Sequence, residues 1–174
     1  MSATMRCCLW SDDAVRKTKN RRTVIGFDTI KQRRLDDIFV SCYPATRVGH
    51  YVPFYFCYRA PMLYVIARGN SELSYHGGQE RIVHLVSRIG VAIHQAEGRP
   101  WAFTDGNAGA RYTQFSNDLE KLDQLVDWNA VQATDWSDPA RKERKQAEFL
   151  VYQRFPWAGI HEIATINRNV AEEV

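Results

Sequence analysis

The sequence predicts one mixed α+β domain that spans residues 1–174. A chain of 174 residues has the length of a single domain and can bury about 70% of the surface that it exposes when unfolded. Its composition is that of a globular protein, with 45% hydrophobic, 12% aromatic and 25% charged residues. Helix-like and strand-like segments alternate irregularly and form few β-α-β units, which favours an α+β arrangement over a doubly wound parallel sheet.

The charge distribution is asymmetric, although the net charge is only +3. Residues 1–34 contain nine Lys and Arg against three Asp, so the rest of the chain carries a net charge of −3. A basic N-terminal segment indicates a polyanionic partner, either a nucleic acid or the phosphates of a nucleotide.

The cysteines and the apolar runs indicate the compartment. The four cysteines contain no CxxC pair, and residues 1–10 lack the apolar core of a secretory signal, so we expect reduced thiols in the cytoplasm. No apolar run approaches the roughly 20 residues that cross a bilayer, so no membrane span is predicted. The five histidines are scattered, and none is spaced with a cysteine as in a zinc site, so no metal site is predicted.

The first predicted helix covers residues 28–35, with Asp28 as its N-cap and Leu35 facing inward. Arg33 and Arg34 are consecutive and therefore point about 100° apart, so at most one of them can face a given site. A solvated helix end is the alternative interpretation of this pair, because cations are favoured near a helix C-terminus.

Residues 51–56 are the most aromatic stretch of the chain, and Pro53 within it predicts an edge strand or a bulged strand. Pro61 then suits the first turn of a short helix. The aromatic side chains are interpreted as core residues, with stacking on a base or another ligand ring as the alternative.

In the second half, strands are predicted at residues 82–86, 101–104 and 160–166, and a helix at residues 91–97. His84 is interpreted as a core histidine and not as a catalyst. The glycines of the loop 105–109 match no phosphate-binding fingerprint. An amphipathic helix is predicted where apolar residues recur at helical spacing, at Phe115, Leu119, Leu122 and Val126.

The run 141–152 places one carboxylate at the start of a strand. Four of the seven residues before Glu148 are Lys or Arg, and the residues 149–152 behind it are types that pack on a sheet. Nearby positive charge keeps a carboxylate ionised, so Glu148 can hold a sugar hydroxyl or balance a developing positive charge. The alternative is a solvated charge run that leads into an ordinary core strand.

Six segments in register carry a family resemblance: Ile30-Lys31-Gln32-Arg33-Arg34, Gly49-His50-Tyr51-Val52-Pro53-Phe54-Tyr55-Phe56-Cys57, Pro61-Met62-Leu63-Tyr64, Gly77-Gly78-Gln79, Phe103-Thr104-Asp105 and Lys145-Gln146-Ala147-Glu148-Phe149-Leu150-Val151. Together they resemble the DarT family of DNA ADP-ribosyltransferase toxins from DarT–DarG toxin–antitoxin systems. The match runs roughly from Leu9 to Val174.

The resemblance implies an ADP-ribosyltransferase fold, a split mixed β-sheet with flanking helices that grips NAD⁺ in a cleft. It implies transfer of ADP-ribose from NAD⁺ to a base of single-stranded DNA, usually thymidine, and a DarG-like macrodomain antitoxin as partner. By motif, the catalytic residues fall on Glu148 and Arg34, and NAD⁺ binding falls on Arg34 and Leu9. The segment 12–31 corresponds to a loop that covers NAD⁺, and the segment 105–148 to one that presents the DNA.

Two departures from the family pattern lead to a second hypothesis. A Tyr-His-Ile-Thr-like strand, whose histidine contacts NAD⁺, and a final strand of the family have no counterpart in the sequence given, so weak or absent turnover is expected. The alternative function is therefore a catalytically incompetent remnant that binds single-stranded nucleic acid. Transfer to RNA on the same scaffold is a third possibility.

Overall fold

The computed structural model describes residues 7–18 and 23–173. In chain order, the strands are β1 (Cys8–Trp10), β2 (Phe39–Val40), β3 (Tyr43–Arg47), β4 (Tyr51–Tyr55), β5 (Val83–Val86), β6 (Trp101–Thr104), β7 (Phe115–Ser116), β8 (Glu148–Tyr152), β9 (Arg154–Pro156) and β10 (Glu162–Thr165). The helices are α1 (Asp12–Arg16), α2 (Asp28–Asp36), α3 (Pro61–Ala67), α4 (Ile89–Ala96), α5 (Leu122–Leu125), α6 (Trp128–Gln132), α7 (Pro139–Arg144) and α8 (Arg168–Glu173).

The largest described sheet is antiparallel, with the strand order β4-β8-β6-β7. Its strand β8 is buried on both faces. Successive side chains of a strand point to opposite sides of the sheet, and both sides of β8 are covered by apolar residues. Phe149 and Val151 pack into one apolar cluster, and Leu150 packs into a second cluster on the other face. Burial of each such side chain contributes about 1.5–3 kcal/mol, so β8 is the strand that holds the two halves of the core together.

Smaller antiparallel pairs complete a split sheet, in which β1 pairs with β9, β2 with β3, and β5 with β10. Every strand pairing among the described residues is antiparallel. The predicted α+β fold with a split sheet and flanking helices is thereby confirmed, while the described sheets are antiparallel where a mixed sheet was predicted.

Helix α2 lies unusually close to the turn that precedes β4. A Cβ atom added to Gly49 would lie 2.7 Å from Leu35 Cδ2 and 2.8 Å from Leu35 Cα. Leu35 is buried, as predicted, and only the absence of a side chain at Gly49 permits this approach. The contact sets the position of α2 relative to the large sheet.

Several predicted elements agree with the structure. Pro53 lies on β4, an edge strand of the large sheet, where its missing N–H breaks no ladder bond to an inner strand. Pro61 is the first residue of α3, and the strand predicted at residues 101–104 is β6. Helix α4 spans Ile89–Ala96 and thus begins two residues before the predicted helix at 91–97.

Other predictions were wrong or displaced. The helix predicted from Phe115 to Val126 is broken: Phe115 belongs to β7, a 3₁₀ turn follows at Leu119–Lys121, and only Leu122–Leu125 is α-helical. The helical spacing of these apolar residues therefore indicates neither one continuous helix nor a common buried face, since Val126 is buried but Leu119 is 46% exposed. Asp28 is the first residue of α2, and its N-cap is Phe27. Strand β5 is half-buried where a buried strand was predicted.

Some elements lie where no helix or strand was predicted, and one is shorter than predicted. Ser11 caps α1 by accepting a hydrogen bond from the Ala14 amide, so the polar run 11–13 begins a helix. Strand β1 precedes it, and α8 follows β10, which is shorter than the predicted 160–166.

Candidate active site

The first residue of β8 and the last turn of α2 meet in a buried ion pair. Arg34 Nη1 donates to Glu148 Oε1 at 2.9 Å, and Arg34 Nη2 donates to Glu148 Oε2 at 2.7 Å. The Glu148 side chain exposes 1% of its surface and that of Arg34 exposes 13%. The predicted convergence of these two residues, remote in sequence, is confirmed, while their catalytic roles stay predictions.

The adjacent arginine does not share this site, as the helical geometry predicted. Arg33 instead donates to the Gly109 carbonyl at 3.1 Å. The two consecutive guanidinium groups thus fasten α2 to two different partners, one on β8 and one on the loop after β6. The hypothesis of a merely solvated helix end is wrong for both residues.

The glycine-containing loop 105–109 supplies a further hydrogen bond to the carboxylate. The backbone amide of Ala108 donates to Glu148 Oε1 at 3.0 Å, and both groups are buried. Oε1 therefore accepts two hydrogen bonds, from Arg34 and from Ala108, whereas Oε2 accepts one in the described part of the chain. Each carboxylate oxygen has two lone pairs and can accept two hydrogen bonds, so Oε2 can accept one more.

Thr104 ties this loop to the strand that carries Glu148. Its hydroxyl donates to the Gly106 carbonyl at 2.7 Å and accepts from the Glu148 amide at 2.9 Å. Thr104 is fully buried. Sequence reasoning missed Thr104 and Ala108, because neither residue type signals chemistry, although the loop itself was found from its glycines.

The charge state of Arg34 follows from its partner. Burial alone would lower the pKa of Arg34, but the charge and hydrogen bonds of Glu148 outweigh it and raise the pKa above its ordinary value. The guanidinium therefore stays cationic and satisfies the buried carboxylate. A buried pair of this kind is weak evidence for stability by itself and is found at functional sites as well as structural ones.

Tyr55 lies beside Glu148 on the edge strand of the large sheet. Its Cα lies opposite that of Glu148 in the antiparallel register of β4 and β8, and opposite residues direct their side chains to the same face. Burial of its hydroxyl, with the adjacent Glu148 charge, raises the pKa of Tyr55. Tyr55 also lines a cavity of about 550 Å³ whose wall includes Leu9 and His84. Leu9 therefore faces this cavity, and the described contacts of Glu148 do not include it.

Helices α1 and α2 are joined by ion pairs. Asp12 pairs with Lys31 at 2.8 Å, and Arg16 pairs with Asp36 at 3.3 Å. The predicted covering loop 12–31 thus begins as helix α1 and ends within α2, and its residues 19–22 lie outside the described residues.

Residues 7–18 and 23–173 contain neither a candidate metal site nor a candidate membrane span. No group of three or more His, Cys, Asp and Glu side chains is placed to hold a metal ion in this part of the chain. Over the same residues, no helix combines the length and the apolarity needed to cross a bilayer. The four cysteines are free thiols.

A split antiparallel sheet with a buried arginine–glutamate pair at the start of an inner strand places the chain among the ADP-ribosyltransferases. The family model described as ssDNA thymidine ADP-ribosyltransferase, DarT, matches residues 5–174. The chain belongs to the DarT family.

Relatives and solved structures agree with this assignment. A DNA ADP-ribosyl transferase of Thermus sp. (strain 2.9) is 54% identical over 151 residues, which are 86% of this chain and 69% of the relative. One of Thermus aquaticus is 43% identical over 79% of this chain, and the match spans 59% of that relative's length. The structure of Thermus sp. 2.9 DarT in complex with ADP-ribosylated ssDNA superposes with a TM-score of 0.84 and 42% identity, covering 97% of this chain and 77% of that one.

Proposed function

We propose that the protein transfers ADP-ribose from NAD⁺ to a base of single-stranded DNA, with thymidine as the target, and releases nicotinamide. The observation that carries this proposal is the buried pair of Glu148 and Arg34 on the large sheet. The family assignment and the solved DarT complex with ADP-ribosylated ssDNA support the choice of substrate.

In this proposal, Glu148 stabilises the positive charge that develops on the ribose as the bond to nicotinamide breaks. A fixed carboxylate in a water-excluded site is effective because no solvent must reorganise during the reaction. The remaining lone pair of Oε2 accepts a hydrogen bond from the ribose 2′-hydroxyl, and this bond orients the sugar for attack by the base. The Ala108 amide and Arg34 hold the carboxylate in place meanwhile.

Arg34 acts in this proposal as a cation and not as a base. Its pKa is raised by Glu148, and a guanidinium is not deprotonated in ordinary protein surroundings. It therefore stabilises negative charge on the NAD⁺ phosphates and on the attacking thymine, whose ring-nitrogen proton passes to solvent water as the new bond to the ribose carbon forms and nicotinamide leaves.

NAD⁺ binds as a substrate in this scheme, with its nicotinamide ribose at Glu148. The cavity of about 550 Å³ beside β4 has the usual size of a ligand pocket, but its wall includes Phe54 and Phe149, on the face of the sheet opposite to Glu148. Leu9 lines that cavity, so its contact with NAD⁺ stays a prediction.

The cellular setting follows from the resemblance and the thiols. We infer that the protein is a toxin restrained by a DarG-like macrodomain antitoxin that removes the mark from DNA. The free cysteines support a cytoplasmic location.

The test is an incubation of the protein with NAD⁺ and single-stranded oligonucleotides with and without thymidine, followed by mass spectrometry. We expect a thymidine-dependent adduct that falls by about a hundredfold or more in Glu148→Gln. Glu162→Gln is the matched control, because Glu162 is an exposed carboxylate at the first position of a strand, β10, outside the segments 12–31 and 105–148. An adduct formed equally by Glu148→Gln would exclude the assigned role of Glu148.

The same assay separates the other hypotheses. Binding of single-stranded DNA without consumption of NAD⁺ would favour the catalytically incompetent remnant. An adduct on the RNA oligonucleotide of the same sequence, and not on the DNA, would favour an RNA-directed transferase.

A further inference from the structure

Two aromatic rings and two cations meet on the surface between α3 and α7. Tyr64 and Trp136 pack edge to face, with ring centroids 5.1 Å apart and ring planes at 89°. The Arg68 guanidinium carbon lies 5.9 Å from the Tyr64 ring centroid, and Lys142 Nζ lies 6.0 Å from the Trp136 ring centroid. We call Tyr64, Arg68, Trp136 and Lys142 the aromatic–cation patch.

The rings of this patch are open to a ligand. Tyr64 exposes 51% of its surface, and Trp136 is half-buried. Both cations lie near the outer limit of about 6 Å for a cation–π interaction. The exposed half of Tyr64 is the part of the patch that a ligand ring can reach without displacing a core contact.

The patch is close to the candidate active site along both chain segments. Tyr55 at the end of β4 and Glu148 at the start of β8 are register partners, so α3 and α7 join the sheet at the same end. Lys142 lies six positions before Glu148 in the sequence, and six positions span at most about 20 Å in an extended chain. A strand of a few nucleotides spans that distance.

We propose that the aromatic–cation patch binds the nucleotides that flank the modified base, with bases stacked on Tyr64 and Trp136 and phosphates at Arg68 and Lys142. This inference rests on the proposed function, since it requires single-stranded DNA as the substrate. Stacking on aromatic faces beside cations is how proteins hold single strands without reading every base. An apolar protein ligand would not use the two cations, and a double helix hides its base faces.

Among the described residues, no carboxylate forms an ion pair with Arg68 or Lys142, and the two nearest in the chain to Trp136 accept hydrogen bonds from backbone amides. Asp138 caps α7 by accepting from the Arg141 amide at 2.8 Å, and Asp135 accepts from the Ser137 amide at 3.0 Å. Arg141 in turn donates to the Asp135 carbonyl at 3.2 Å, which leaves Lys142 to face the Trp136 ring. The described interactions therefore give Asp135 and Asp138 structural partners within their own turn.

The main test compares a thymidine-containing DNA of about 4 nucleotides with one of about 16 nucleotides. We expect the wild-type protein to modify the longer strand with a lower KM, and Tyr64→Leu to raise that KM by about tenfold without changing kcat on the short strand. Tyr64→Phe keeps the ring and should retain the low KM. Phe39→Leu is the matched control, because Phe39 is 50% exposed beneath Arg47 and should show no effect.

Direct binding tests the cations and separates the two levels of inference. By fluorescence anisotropy with the labelled longer strand, we expect Arg68→Ala and Lys142→Ala each to lower the slope of log K against log salt by about 0.7. Modification of DNA by the wild-type protein, with KM and affinity unchanged in Tyr64→Leu and Lys142→Ala, would overturn the patch while leaving the proposed function in place. Absence of any adduct from the wild-type protein would reject the proposed function. If, in that case, the variants also bound the labelled strand with the affinity and salt dependence of the wild type, the patch would be rejected as well.

Discussion

Glu148 shows how a carboxylate can be almost fully buried and still have hydrogen-bond donors at both oxygens. Each of its oxygens accepts a hydrogen bond from Arg34, and one of them also accepts from the Ala108 amide. Removal of either charged partner would leave the other buried and unpaired, at a cost of about 3–5 kcal/mol. The pair is therefore a unit, and the residues that position it matter as much as the pair itself.

Thr104 is the residue whose role is most sharply testable at this scale. Thr104→Val keeps the shape and removes the hydroxyl that joins the Gly106 carbonyl to the Glu148 amide. We expect a loss of about 1–3 kcal/mol in the free energy of unfolding, because two buried backbone groups lose their partner. We also expect kcat to fall by about tenfold with little change in the KM for NAD⁺, since a displaced carboxylate affects the transition state more than binding.

Urea unfolding and steady-state kinetics measure these two effects. Thr104→Ser retains the hydroxyl and should recover kcat even if the lost methyl group lowers stability. Equal kcat in Thr104→Val and wild type would show that Thr104 supports the fold alone.

At the scale of elements, the site depends on how closely α2 approaches the turn before β4. Gly49→Ala would place a methyl group 2.7 Å from Leu35 Cδ2 and 2.8 Å from Leu35 Cα. The second contact is with the backbone, so α2 must shift as a body. We expect a loss of about 1–3 kcal/mol in the free energy of unfolding, as for other overpacked sites, and a fall in transfer activity because Arg34 moves with the helix.

Gly90→Ala is a suitable control for this substitution. Gly90 lies in α4, and an added Cβ would meet nothing within 4 Å. Alanine should therefore leave the activity unchanged and stabilise the helix by about 0.5–1 kcal/mol. Thermal unfolding and the transfer assay of both variants decide the matter, and full activity in Gly49→Ala would contradict the proposed dependence on α2.

At the scale of the whole molecule, the sequence was informative where one local rule decides the outcome. Pro53 and Pro61 mark an edge strand and a helix start because proline lacks an N–H and has a fixed φ. The apolar run after Glu148 marks the central strand because burial on both faces demands such residues. The family resemblance, and not the spacing of residues, led to the pairing of Arg34 with Glu148.

Features that depend on tertiary contacts were beyond local rules. Lys145 looked like part of a solvated charge run, yet it is buried and donates to the Val131 carbonyl at 2.6 Å. The helix predicted from Phe115 onward failed because Phe115 and Ser116 pair with β6, a contact with residues far away in sequence. Backbone donors such as the Ala108 amide carry no side-chain signal at all.

The stability of the whole fold should carry a pH dependence from Asp13. Burial raises the pKa of this carboxyl, but the hydrogen bond and charge of Lys17, with the charges of His50 and Arg16, outweigh it and hold the pKa below 3.8. Because the pKa is lower in the folded state, the carboxylate contributes stability above pH 3.8, and this contribution is lost as the pH falls through the folded pKa. Asp13→Asn should therefore be less stable than wild type near neutral pH, and the difference should shrink in acid.

Urea unfolding of both proteins at about pH 7 and about pH 3 measures that difference directly. Asp37→Asn removes an exposed carboxylate next to α2 and should show a much smaller change between the two conditions. Asp13 forms an ion pair with Arg16 in its own helix α1, and Arg16 also pairs with Asp36 of α2, so the two helices are joined. Loosening of α1 in acid should therefore also lower the transfer activity, and a difference in stability that is the same at both pH values would contradict the role of the Asp13 charge.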